Sequence, residues 1–121
     1  MPRSARAQGL SRRHRYTARG SFGPVLRSAR KIRGDAMIIH FLRTPGMVSR
    51  LGIALTKRLV PSAVERSLVK RALREAFRLH AVKNDGLDCV VALRERFERG
   101  RLPGLRAEAD RLFDRLHAEA R

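Results

Sequence analysis

Between Pro61 and His80 the sequence PSAVERSLVKRALREAFRLH leaves the backbone little choice. Ser62 and Glu65 have the S-x-x-E spacing of a capping box, in which hydroxyl and acid satisfy amides that a helix start would otherwise orphan. Beyond this cap the apolar residues recur at the helical period. At about 100° per residue, counted from Arg66, the cations Arg66, Lys70, Arg74, Arg78 and Arg71 fall within one arc of about 140°. Leu68, Ala72, Ala76, Val69 and Leu73 occupy the arc from about 200° to about 340°, Phe77 lies near the origin, and Glu75 sits on the border. The pattern predicts a helix opening at Ser62 and ending near the KNDG segment, with Gly86 as candidate terminator. One face is apolar and the other almost purely positive.

Such a face is costly by itself. Like charges at Arg66–Lys70, Lys70–Arg74 and Arg74–Arg78 each destabilise an isolated helix by a few tenths of a kcal/mol, roughly. A helix built only for solubility would interleave acids, as Glu108, Asp110 and Asp114 do near the end of the chain. The rest of the composition supports a polyanionic partner. The formal net charge is +17, and residues 1–80 hold nineteen Lys and Arg against Asp35, Glu65 and Glu75, a balance of +16. Residues 81–121 hold nine against eight, a balance of +1. Solubilising charge would be spread more evenly; this distribution points to nucleic acid. A membrane-surface helix is the competing reading of a basic amphipathic segment, but the apolar face is needed for the core. Guanidinium forks also match phosphate oxygens bidentately.

The remaining chain predicts a small α+β domain with a sheet packed by helices. Residues 1–14 read as a flexible basic arm and 15–121 as a single nucleic-acid-binding α+β domain. The Arg-rich, acid-free N-terminus has the composition of a transit peptide, yet equally basic residues follow it, so the arm is expected to stay on the mature protein. Ser21 can cap a short helix with Phe22, Val25, Leu26 and Ala29 on one face, broken by KIRGD. AMIIHFL (36–42) and RLGIALTK (50–57) read as strands joined by a turn at Thr44-Pro45-Gly46, an antiparallel hairpin. LDCVVAL (87–93) suits a covered strand, RERFERGRLPG a turn region, and residues 105–120 a last helix with Leu105, Leu112, Phe113, Leu116 and Ala120 inward. No apolar run spans a bilayer. The single Cys89 precludes an intrachain disulfide and reads as buried packing.

With these residues in place, RLGIALTKR followed by AVERSLVKRALREAFR resembles the ribonuclease P protein component family, whose signature runs A-V-x-R-N-R-x-K-R-x-x-R-E-x-F-R. Ala63, Val64, Arg66, Lys70, Arg71, Arg74, Glu75, Phe77 and Arg78 stand in the expected places. Arg50-Leu51-Gly52, Thr56-Lys57-Arg58, Phe22 with Val25, and Asp88 through Arg94 extend the likeness over about residues 15–118. Ser67 replaces the signature Asn and Leu68 its second Arg; Leu26 and His40 stand where aromatics are common.

The resemblance implies an α-β-β-β-α-β-α order, including one short strand not resolved from the sequence, and a left-handed βαβ crossover. It implies a bacterial, cytoplasmic subunit that assists a catalytic RNA, one copy per RNA, in removing the 5′ leader of precursor tRNA. Contacts to that RNA fall to Arg66, Ser67, Lys70, Arg71, Arg74 and Arg78, and contacts to the leader to Phe22, Leu26, His40, Lys57 and Arg58. Mg²⁺ would act at the RNA, and no catalytic or metal-ligating residue is expected in the protein. The residues agree: two-metal sites need clustered carboxylates, whereas Asp35, Glu65 and Glu75 are widely spaced, and His14, His40, His80 and His117 lack ligand spacing with Cys89. A structural RNA binder, such as a ribosomal protein, would share the charge but not the spaced signature. A self-sufficient nuclease would need the acids that the basic region lacks.

Overall fold

The computed structural model describes residues 30–120. Four strands, β1 (Arg30–Arg33), β2 (Met37–Arg43), β3 (Arg50–Ala54) and β4 (Leu87–Leu93), combine with two helices, α1 (Ala63–Arg78) and α2 (Leu102–Glu119). Short 3-10 turns at Ala81–Asn84 and Arg99–Arg101 lead into β4 and α2. The expected α+β class is present. The expected arm and the helix from Ser21, with Phe22 and Leu26, lie outside the described residues.

The sheet order is β1-β2-β4-β3. β2 pairs antiparallel with β1 and β4, while β3 runs parallel to β4. The β2–β3 hairpin expected from the sequence does not form, because β4 inserts between the two strands. LDCVVAL is apolar along nearly its whole length and is buried from Leu87 to Val91, so a central place covered on both faces suits it better than an edge. β3, α1 and β4 therefore make a βαβ unit of adjacent parallel strands. β1 is the strand that KIRGD concealed. Only Ile32 of its four residues is buried, and the exposed Arg30, Lys31 and Arg33 blunt this edge against pairing with other chains.

One face of the sheet carries Ile32, Met37, Ile39, Phe41, Leu51, Ile53, Cys89 and Val91, and both helices pack on it. α1 contributes Val69, Leu73, Ala76 and Phe77. Burying each of the larger three stabilises the fold by about 1.5–3 kcal/mol. Phe77 meets Phe113 of α2 edge-on, centroids 5.6 Å apart. Cys89 is fully buried in this core, as expected.

α1 opens at Ser62, whose hydroxyl accepts from the Glu65 amide at 3.2 Å. It closes at Leu79, earlier than the KNDG segment. Gly86 instead opens β4, with φ +69°, a conformation that side chains resist. A Cβ there would also lie 2.2 Å from the Gly46 carbonyl oxygen.

α2 begins before Leu105 and buries Leu105, Leu112, Phe113 and Leu116. It also buries Glu108, which the sequence placed outward. The Glu108 carboxylate accepts from the Ala36 amide at 2.9 Å and the Met37 amide at 3.2 Å, tying down the β1–β2 turn. Further along α2, Arg115 donates to the Arg33 carbonyl at 3.3 Å and Glu119 pairs with Arg30 at 3.0 Å. The helix is thus clipped to the edge strand along its length.

Candidate nucleic-acid interface

Because α1 turns its apolar arc to the sheet, its cationic arc points to solvent. Ser67 and Arg71 are exposed, while Arg66, Lys70, Arg74 and Arg78 are half-buried along their stems. Their roles differ. The Arg66 guanidinium donates to the carbonyls of Val60 at 2.8 Å and Pro61 at 2.9 Å, anchoring the loop that leads into the helix. Arg78 pairs with Glu75 at 3.2 Å, and its carbonyl accepts from Lys83 at 2.9 Å. The side chains of Lys70 and Arg71 make no hydrogen bond or ion pair with the described residues. Their charge is unspent by the fold. Lys57 and Arg58 are exposed in the turn between β3 and α1.

His40 lies on the other side of the sheet. The register carries Lys31, His40 and Val90 in one row across β1, β2 and β4, with Arg33 opposite Ile38 and Asp88 opposite Arg50 in neighbouring rows. Cations thus stand on both outer strands of this second face. Arg50 grips Asp88 through two bonds, of 2.8 Å and 2.7 Å. Such a fork fixes the guanidinium plane. Burial, then Lys31, then Arg33, hold the His40 pKa below its ordinary value, so the ring is biased towards its neutral form. Its Nδ1 is buried without a hydrogen-bond partner among the described residues. A half-buried neutral imidazole between flanking cations offers a stacking surface to a nucleobase.

The sequence-derived site residues therefore divide between two surfaces, with the α1 arc on the helical side and His40 on the opposite side. Phe22 and Leu26 lie outside the described residues. Lys31, Arg33 and Arg50 were not among the sequence candidates. For the first two the signal was present: Lys31-Ile32-Arg33 alternates about one apolar residue, as an edge strand does. Arg50 could be placed only through its register with Asp88.

Most acids of the described region are engaged. Besides Glu108, Asp88 and Glu75, Asp114 pairs with His80 at 2.7 Å, Asp85 with His117, and Glu95 with Arg101 at 3.5 Å. Among the described residues no three His, Cys, Asp or Glu side chains are grouped to hold a metal ion. No described helix is long and apolar enough to cross a membrane.

A helix-backed sheet that commits its acids internally and holds cations outward defines a class of protein: a small binder of polyanions. Comparison with known proteins narrows the class. The ribonuclease P family model matches residues 10–117. The ribonuclease P protein component of Paraburkholderia xenovorans is 35% identical over 99 residues, 82% of this chain and 70% of that protein. That of Chromobacterium violaceum is 35% identical over 114 residues, 93% of this chain and 90% of that protein. The solved RNase P protein from Thermotoga maritima superposes with a TM-score of 0.72 at 27% identity, covering 84% of this chain and 96% of that one. The chain belongs to the ribonuclease P protein family. It is thereby an RNA-binding component of a ribonucleoprotein that acts in tRNA processing.

Proposed function

We propose that α1 docks this protein, in one copy, on the catalytic RNA of ribonuclease P, and that the second sheet face receives the 5′ leader of precursor tRNA. One observation supports the docking most directly: Lys70 and Arg71 stand on an outward helix face without a partner among the described residues. Arg74, Arg78 and Ser67 extend that face, and Arg66 sets its angle through the Val60 and Pro61 carbonyls. His40 would contact an unpaired leader base, with Lys57 and Arg58 neutralising phosphates. By the family resemblance, Phe22 and Leu26 would complete this surface.

The RNA would supply hydrolysis with Mg²⁺, and the protein would raise substrate affinity and lower the demand for metal. Protein carboxylates committed to backbone amides, arginines and histidines are poorly disposed to hold that Mg²⁺, so no step is assigned to them. The bacterial relatives favour a cytoplasmic setting.

Reconstitution tests the proposal. The purified chain alone should leave precursor tRNA intact, and adding the ribonuclease P RNA of its own genome should give cleavage at the mature 5′ end. Arg71→Glu should weaken assembly far more than Arg111→Glu, which reverses an exposed charge on α2. Robust cleavage by the RNA-free protein would overturn the assignment of chemistry to the RNA. Equal effects of the two reversals would reduce docking to overall charge, and failure to stimulate the RNA would favour a general structural RNA binder.

A further inference from the structure

Helix α1 shows solvent apolar surface as well as charge. The large hydrophobic side chains exposed among the described residues are Met47, Val64 and Leu79, and Val64, in the first turn of α1, is 62% exposed. Leu68, one turn further on, is only half-buried. At about 100° per residue Val64 and Leu68 project at about 160° and about 200°, beside Arg71 at about 140°. Val64 points almost directly away from Leu73, which is fully buried. Core packing therefore does not account for Val64 and accounts only in part for Leu68, and a β-branched Val slightly lowers helix propensity there.

The geometry points to an apolar ledge, Val64 and Leu68, that takes the face of an unstacked base or ribose of the RNA held by Lys70 and Arg71. This rests on α1 being the RNA-docking face. Charge complementarity selects the occupant. Leu68 is an i,i+3 neighbour of Arg71 and an i,i+4 neighbour of Val64, so these side chains lie about 5–6 Å apart. A phosphate chain that runs from Lys70 to Arg71 reaches the ledge at its Arg71 end, where Val64 and Leu68 lie within about 60° of that side chain. RNA offers apolar base and sugar surface between its phosphates at that scale. Two side chains form too narrow a strip to seat a partner helix or enter a bilayer. Where the family signature has an arginine, Leu68 thus replaces a salt-sensitive contact with a salt-insensitive one.

Binding of the full-length chain to the ribonuclease P RNA of its own genome, titrated across a series of KCl concentrations, tests this. Leu68→Ala should weaken binding roughly tenfold and Val64→Ala roughly threefold, from the apolar area removed. Neither should change the slope of log K against log salt. Leu68→Arg should steepen that slope by about 0.9 for the added phosphate contact, and Lys70→Ala should flatten it by a similar amount. Parental affinity in both alanine variants would overturn the ledge, as would an affinity loss accompanied by the slope change of Lys70→Ala. Leu68 is partly packed, so thermal melting accompanies each variant; the exposed Val64→Ala carries the test if Leu68→Ala unfolds. Lys70→Ala also separates the two readings. If it changes neither affinity nor slope, α1 is not the docking face and the ledge falls with it. If it weakens binding while both alanine variants do not, only the ledge falls.

Discussion

Replacing Glu108 with Ala should cost more stability than any surface change in this protein. Glu108 is 7% exposed, and its carboxylate serves two backbone donors, the amides of Ala36 and Met37. A hydrogen bond to a charged group contributes about 1.5–3 kcal/mol, and an orphaned buried donor costs about 1–3 kcal/mol. The two amides are not equivalent. Met37 is fully buried and would lose its partner outright, whereas half-buried Ala36 borders a cleft of about 280 Å³ from which water can replace the lost acceptor. The expected loss is therefore about 3 kcal/mol, a large share of the roughly 5–15 kcal/mol that holds a domain together. For a chain of this length it corresponds to a fall in Tm of roughly 10–15 °C. Glu108→Gln keeps one acceptor oxygen but turns an amide group towards donors, and should fall between Ala and the parent. Urea unfolding should show a lower midpoint at constant m. A midpoint for Glu108→Ala within about 0.5 kcal/mol of the parent, the range of ordinary surface substitutions, would refute the claim that this carboxylate organises the β1–β2 turn.

Three further perturbations probe the sheet. Burial, Lys31 and Arg33 lower the His40 pKa below 6.5, so the unfolded chain takes up this proton first as pH falls. The neutral-ring contribution is present above pH 6.5 and lost as pH drops below it towards the folded-state pKa; His40→Phe should accordingly show a smaller loss of stability over that window, and parallel pH profiles would contradict it. Burial first, then Asp88 and Asp85, push the Cys89 thiol far above its ordinary range, so a thiol reagent should label it at the rate of global unfolding. Rapid labelling of the native chain would place Cys89 nearer the surface. Asp88→Ala should destabilise the β3–β4 pairing by about 1–2 kcal/mol, less than loss of a fully buried pair because the Arg50 side chain is 44% exposed; hydrogen exchange at the amides of β3 reads that local effect.

What the sequence disclosed follows the range of the interactions involved. The start of α1 was legible because Ser62 caps an amide three residues away, and the inward face of α2 because Leu105, Leu112, Phe113 and Leu116 obey one helical period. Glu108 lies on the same helix and was misplaced, because its reason for burial is a pair of amides about seventy residues distant. β2 and β3 were recognised individually but paired with each other, since nothing local shows that a later strand will come between them. The site divides the same way. The cationic arc of α1 follows from one helix and was read directly. The anchoring of Arg66 to loop carbonyls, the Arg50–Asp88 fork and the grouping of Lys31 and Arg33 around His40 depend on loop geometry or strand register.

The place of β4 between β2 and β3 also dictates an order of assembly. Among the described residues β3 has no sheet neighbour other than β4, so this pairing of residues 50–54 waits until the chain has emerged from the ribosome through residue 92. β2 waits likewise for its inner partner, although β1 is already adjacent. The intervening helix needs only its own residues and cap to begin forming, but a segment of this length is marginal alone. Closing the β3–α1–β4 unit spans nearly forty residues, and non-local pairing of this kind slows folding and leaves strands unpaired meanwhile. During synthesis all residues of the basic helix α1 have thus emerged before the sheet that will carry it can close, and the strands beside it remain open until β4 arrives.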